Sequence, residues 1–286
     1  RVSDASVDLV YLDPPFASAQ DFDVLAWVRP ERRSRAPVAA FGDTWAWDEA
    51  ARASFEETRA RGGDVGRALE AFRRLVGESG LLAYLAHMAP RLVELHRALA
   101  PTGSLYLHCD PTASHYLKVL LDRVFGPAGF RNEIVWRYRR WPAKARRFQR
   151  MHDVLLFYAK TSNPVFEPLY GYEKLAPSTL KTFGTRTQRA DFSSGHRKPG
   201  TTDAVSAGPP LSDVWDIGVL APIAKERTPW PTQKPEALLE RVVRAARRGR
   251  RGGSSRSRGR WLVRRGRGRG RLVGARRRGG RRAAVR

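Results

Sequence analysis

Val7-Asp8-Leu9-Val10-Tyr11-Leu12-Asp13-Pro14-Pro15-Phe16 is the stretch on which the reading of this 286-residue chain turns. Its first six residues are short, mostly apolar and partly β-branched, the pattern of a strand buried on both faces. The run stops at two consecutive prolines, which fix the backbone and end the strand in a rigid corner. In an open α/β sheet, ligands bind at the carboxyl ends of the strands, so this corner lies where a site belongs. An Asp carboxylate beside a proline carbonyl can accept both hydrogens of an amino group, and the neighbouring Phe16 ring can stack on a base carrying that group. As an isolated tetrapeptide, Asp13-Pro14-Pro15-Phe16 also reads as nothing more than a stiff turn.

The flanking sequence supplies the rest of an α/β domain. Residues 17–70 are mixed, with turn signals at Gly42-Asp43 and Gly62-Gly63. Leu81, Leu85, Met88, Leu92, Leu95 and Leu99 recur at spacings of four and three and predict an amphipathic helix, with Pro90 marking either a kink or a break into two helices. Pro101-Thr102-Gly103 reads as a turn and Ser104–His108 as a second strand. Thr112 is placed to cap a helix that buries Leu117, Leu120, Leu121 and Val124. Glu133–Tyr138 and Val154–Tyr158 read as two further strands, and a last helix starts near Pro235 with Leu238, Leu239, Val242 and Val243 on one side. Strands alternating with helices of this length predict a mostly parallel sheet.

The totals set wider bounds. The apolar fraction of 42% can fill a sizeable core. A single cysteine, Cys109, excludes an internal disulfide framework and a multi-cysteine zinc site, and suits a reducing cytosol. No apolar run reaches 18 residues, so no membrane span is expected. The chain opens on Arg1-Val2-Ser3-Asp4 without Met or a signal-peptide pattern, and reads as a fragment beginning inside a domain. The net charge of +25 is unevenly spread. Residues 241–286 hold 20 Arg and no Lys, Asp or Glu, leaving 33 basic against 28 acidic residues, or +5, for residues 1–240. From about Arg247 the composition is Arg and Gly with no helical or strand period, which reads as a low-complexity tail unable to offset its ordering entropy.

Two polar stretches bear on partners. Arg137, Arg139, Arg140, Lys144, Arg146, Arg147 and Arg150 form a basic run free of acids that contains Tyr138, Trp141 and Phe148. Such a run can neutralise phosphates while an aromatic fills the gap left by a flipped base, or it is a solvated loop between two strands. Residues 160–210 are rich in Thr, Ser, Gly and Pro and read as an inserted, loop-rich region, either a DNA-facing element or a surface excursion. His108, Cys109 and Asp110 end a strand at the ligand edge. Three adjacent residues cannot converge on one ion, so no metal is assigned, and His108 and Asp110 are expected to shape the rim or cap the next helix.

Residues 1–245 resemble the DNA amino-methyltransferases of bacterial restriction-modification systems and orphan enzymes, in the subgroup whose catalytic motif precedes the cofactor motif. The matching text comprises residues 6–16, Pro101-Thr102-Gly103-Ser104-Leu105-Tyr106-Leu107-His108-Cys109-Asp110-Pro111-Thr112, Phe130–Trp136, His152-Asp153-Val154-Leu155-Leu156-Phe157 and Pro229-Trp230-Pro231-Thr232-Gln233-Lys234-Pro235. The resemblance implies a Rossmann-like methyltransferase fold in a bacterial cytoplasm, with DNA as substrate and S-adenosylmethionine as methyl donor. It implies a flipped-out base methylated on its exocyclic amino nitrogen, with catalytic roles for Asp13, Pro14, Pro15 and Phe16. The Asp at the first motif position implies adenine; cytosine is the alternative, and a restriction subunit is a possible partner. Thr232, Gln233 and Lys234 would lie beside the cofactor, with Thr232 capping the helix, Pro235 in its first turn and Lys234 near the methionine carboxylate. Without the resemblance, the same residues read as a capped surface helix with a solvated lysine.

The domain reading that results is a catalytic part over 1–159, a target-recognition insert over 160–210, a return to the methyltransferase domain over 211–246 and the tail over 247–286. The fold is expected to be incomplete at its C-terminal cofactor part. After the last helix the family would present a strand, Asp-Pro-Phe and a glycine-rich turn that admits the cofactor closely. The sequence instead runs Arg247-Arg248-Gly249-Arg250-Arg251-Gly252-Gly253. A reading-frame shift is one explanation, since codons for residues 253–263 read one base later can encode a strand-like Val-Leu-Leu-Asp-Pro; a non-specific nucleic-acid arm is the other. The second functional hypothesis is accordingly a basic nucleic-acid-binding remnant without the cofactor site.

Overall fold

The computed structural model describes residues 2–16, 21–23, 39–42, 45–141, 146–192, 195–196, 198–221, 223–228, 232–247, 261–265 and 272–273. In chain order these form β1 (Val7–Asp13), β2 (Asp21–Asp23), β3 (Ala39–Gly42), α1 (Glu49–Ala60), α2 (Gly63–Val76), α3 (Gly80–Ala98), β4 (Leu99–Cys109), α4 (Ser114–Phe125), β5 (Phe130–Arg137), β6 (His152–Ala159), α5 (Pro177–Phe183), β7 (Arg186–Asp191), β8 (Lys198–Val205), β9 (Val214–Asp216), α6 (Glu236–Ala245), β10 (Trp261–Arg265) and β11 (Leu272–Val273). Seven strands make the main sheet in the order β11-β10-β1-β4-β6-β5-β9. Five of them run the same way; β6 and β11 are reversed.

The unbroken apolar run of β1 is explained by burial on both faces. Val7, Val10 and Leu12 pack with Leu105, Leu107, Val154, Leu156 and Tyr158 under α1 to α4. Leu9 and Tyr11 pack on the other face with Tyr106, Leu155, Phe157 and Trp136, against Leu238 and Val242 of α6. The two-residue period of the strands therefore feeds two cores, each covered by helices. Among the described residues, no helix is long and apolar enough to cross a membrane.

Pro90 does not divide its helix, for α3 runs unbroken over nineteen residues. A proline in a helix leaves the carbonyl four residues earlier without its donor. Here that carbonyl, of Ala86, accepts the Ser54 hydroxyl from α1 at 2.9 Å, so the neighbouring helix satisfies what the proline removes. Pro101–Gly103, expected as a turn before a strand, lies within β4, where the ladder with β1 shifts register. The tight approach needs glycine: a Cβ on Gly103 would stand 2.9 Å from the Val7 carbonyl oxygen and 2.9 Å from Leu99 Cδ2.

Both expected threonine caps are corrected. The residue preceding α4 is Ala113, with no side-chain cap, and Thr112 instead faces Arg150. At α6 the N-cap is Pro235, and the first free amide, that of Glu236, is taken by the Glu226 carboxylate at 3.0 Å. Residues 160–210 hold more regular structure than their composition suggests: the short helix α5 followed by the antiparallel hairpin β7–β8. The tail also departs from expectation. Its apolar residues 261–263 fall within β10, which pairs in parallel with the open side of β1 and satisfies its backbone there despite the arginine-rich surroundings.

The Ser54 bond yields a stability test. Ser54→Ala is expected to cost about 1 kcal/mol in urea unfolding, because it orphans the buried Ala86 carbonyl. In a Pro90→Ala background, where the helix regains its own donor, the same substitution should cost clearly less.

Candidate active site at the carboxyl edge of the sheet

Four strands deliver side chains to one edge. β1 and β4 end there with Asp13 and His108, β5 ends there just before Tyr138, and the reversed β6 begins there with Asp153. Reversal is what brings Asp153 to this edge: in a parallel strand the residue opening the run would lie at the far side. Asp13, His108, Asp153 and Tyr138 are all buried.

The contacts form a chain. His108 Nδ1 lies 3.1 Å from Asp13 Oδ1, and His108 Nε2 lies 3.3 Å from Asp153 Oδ2. The Tyr138 hydroxyl donates to Asp153 Oδ1 at 3.0 Å. Lys234, from the segment before α6, places Nζ 3.1 Å from Asp13 Oδ1 and 5.1 Å from the Phe16 ring centroid. The His108 ring is 5.1 Å from the Phe16 ring, edge-on, and 5.5 Å from Trp136. The Tyr11 hydroxyl lies 3.4 Å from His108 Nδ1.

Charge follows from this geometry. Burial alone would raise the Asp13 carboxyl, but the charge of Lys234 and the hydrogen bond and charge of His108 outweigh it and hold the group at about 2. Asp153 is likewise held below the usual carboxylate range: burial opposes its charge, and the His108 hydrogen bond leads the contacts that outweigh burial. Tyr138 moves the other way, raised by burial and by the Asp153 carboxylate. Both carboxylates are therefore ionised at neutral pH. On Asp13, Lys234 and His108 both occupy Oδ1, and Oδ2 has no hydrogen-bond partner among the described residues.

The candidates named from sequence divide as follows. Asp13, Pro14, Pro15 and Phe16 form one corner; Pro15 is buried, and Pro14 and the Phe16 ring remain partly exposed. Lys234 joins that corner directly. Gln233 ties the preceding loop together, accepting from the Thr228 amide at 2.6 Å and hydroxyl at 2.8 Å and donating to the Glu226 carbonyl at 2.7 Å. Thr232 is partly buried nearby. Arg137 pairs with Asp216 at 2.8 Å. Arg140 covers the Tyr138 ring at 4.9 Å. Arg139, Arg146 and Arg147 are exposed, Trp141 and Phe148 are 95% and 100% exposed, and Lys144 lies outside the described residues. Asp153 had no site role in the sequence reading, and Tyr138 entered it only as an aromatic of the basic run. The available signals were a charged residue opening an otherwise apolar strand and a tyrosine closing one.

The S-adenosylmethionine implied by the resemblance needs acceptors for its ribose hydroxyls and ammonium group. β10 is the strand that follows α6, and its end faces Asp13 across the ladder through Arg265. The sequence there continues Arg264-Arg265-Gly266-Arg267-Gly268, and no acidic residue follows Glu240. Arginine offers only donors. On this side the sequence supplies no acidic side chain for those groups.

The chain thus carries an open α/β sheet with an Asp-Pro-Pro-Phe corner beside a buried His–Asp pair. A DNA methylase family model, that of N6/N4 methyltransferases, matches residues 7–249, and the chain belongs to that family. It is 28% identical over 163 residues to the type II methyltransferase M.HpaI of Haemophilus parainfluenzae, covering 57% of this chain and 45% of that protein. It is 26% identical over 170 residues to the Mod subunit of the type III restriction-modification enzyme StyLTI of Salmonella typhimurium, covering 57% and 22%. Against the DNA adenine methyltransferase YhdJ of Escherichia coli, identity is 25% over 158 residues, covering 54% and 49%. The chain thus spans less than half the length of each of these relatives.

The Asp13 pair predicts a pH dependence. A carboxyl depressed from 3.8 to about 2 contributes on the order of 2 kcal/mol above the unfolded value, lost as pH falls toward about 2. Lys234→Met removes the leading charge opposing burial, so the acid limb of the thermal-unfolding profile between neutral pH and about pH 3 should move to higher pH than in the unsubstituted chain.

Proposed function

We propose that this chain acts on DNA as an amino-methyltransferase, with the exocyclic amine of a flipped-out adenine as methyl acceptor and S-adenosylmethionine as the group that supplies the methyl. The observation that carries the reading is the Asp13 carboxylate: ionised, buried and, among the described residues, bonded through Oδ1 alone, so that Oδ2 stands ready as an acceptor. An exocyclic amine is a poor nucleophile because its lone pair is delocalised into the ring. Asp13 Oδ2 and the Pro14 carbonyl, accepting its two hydrogens, favour a more tetrahedral nitrogen with the lone pair directed outward. Phe16, partly exposed beside them, offers a face for the extruded base. The name of the YhdJ relative supports adenine.

The basic loop between β5 and β6 is the proposed DNA contact. Exposed Trp141 and Phe148 among Arg139, Arg146 and Arg147 combine stacking surface with phosphate-neutralising charge next to the acceptor corner. Residues 160–210, with their exposed hairpin, are proposed as the target-recognition element, between a catalytic part over 1–159 and its continuation over 211–246. A restriction subunit is a proposed partner, in keeping with the name of the StyLTI relative. A second reading, a DNA-binding remnant that no longer transfers methyl groups, is favoured by one observation, the arginine-bearing end of β10 where donor acceptors are needed.

Two measurements test this reading. Asp13→Ala should abolish methyl incorporation into unmethylated plasmid DNA while DNA affinity stays within a few-fold; undiminished methylation removes the assignment, and saturable DNA binding without binding of labelled S-adenosylmethionine selects the remnant. Replacing Arg139, Arg146 or Arg147 by Ala should each lower the slope of log affinity against log salt by about 1, with Trp141→Ala weakening affinity at all salt concentrations.

A further inference from the structure

We infer that His108, bridging Asp13 to Asp153, is the positioning residue that turns Asp13 Oδ2 toward the acceptor amine; the inference rests on the proposed reading of the Asp13 corner. The ring is completely buried, and each nitrogen faces a carboxylate oxygen, Asp13 Oδ1 at 3.1 Å and Asp153 Oδ2 at 3.3 Å. His108 thus ties the Asp13 carboxylate to that of Asp153, and the ring is held from both sides.

The ring is surrounded by groups from each element packed against it. Tyr11 and Phe16 approach from the β1 side, Trp136 from β5 and Asp153 from β6, while Lys234 and Tyr138 act on the two carboxylates. With Tyr138 holding one Asp153 oxygen and His108 the other, Asp153 cannot rotate without losing a buried bond. That rigidity passes through the ring to Asp13 Oδ1, which His108 and Lys234 load from two directions. The carboxylate plane of Asp13 is thereby set by a residue of β6 that does not itself touch Asp13. Lys234 comes from a loop and could not by itself fix that plane.

The test has a readout independent of methyl transfer. In the full chain labelled with nitrogen-15 histidine, the signals lost in His108→Gln identify His108. Asp153→Asn should move the signals of both His108 ring nitrogens, including the one facing Asp13. Asp153→Asn should also lower kcat for plasmid methylation by about 10²-fold with the KM for DNA unchanged, and Tyr138→Phe should lower it less. An Asp153→Asn variant with the ring-nitrogen signals or kcat unaltered overturns the inference. Absence of methyl transfer in the unsubstituted chain counts against the proposed function, and the state of the His108 ring then decides the inference.

Discussion

A carboxylate buried at the end of a strand must be compensated, and the way Asp13 is compensated organises the whole carboxyl edge. Its desolvation is offset by Lys234 and His108, both acting on the same oxygen. The other ring nitrogen of His108 meets Asp153, and Asp153 gains a second partner in the Tyr138 hydroxyl. The line of polar groups is thus closed from Lys234 to Tyr138 within an otherwise apolar sheet, the condition under which buried polar networks specify geometry instead of weakening the core.

The sheet makes this closure possible because it is not uniformly parallel. β6 runs against β4 and β5, so its first residues meet their last ones. The same reversal lets alternate residues of β6 serve both cores, Leu155 and Phe157 on one face, Val154 and Leu156 on the other. Burial on both faces holds the strand ends in place, and a site built on strand ends inherits their rigidity.

Family membership and the donor side of the site stand apart. The family match covers residues 7–249, which includes the Asp13 corner, the β5–β6 loop and α6. β10 lies within the arginine-rich tail and supplies β1 with a parallel neighbour, while the sequence after α6 offers no acidic side chain to a methyl donor. Backbone pairing is indifferent to side-chain chemistry, so a short apolar interruption among arginines suffices for a strand. Ligand recognition is not indifferent, and there the substitution of donors for acceptors tells.

What the sequence determined by itself was what local chemistry encodes. The apolar runs of β1, β4 and β6, the leucine stripe of α3 and the double proline after Asp13 each carry their meaning within ten to twenty residues, because periodicity and backbone restriction are local properties. The tertiary structure alone decided the rest. The helix survived Pro90 because Ser54, 32 residues before Ala86, donates to the orphaned carbonyl. The threonine caps failed because Arg150 and Glu226 reach those positions from elsewhere in the chain. His108 stood in view as a rim residue, yet its partners lie 95 residues before it and 45 after it. Nothing in a linear text states that a strand will be laid in reverse, and that reversal is what joins a histidine and two aspartates into one buried, connected site.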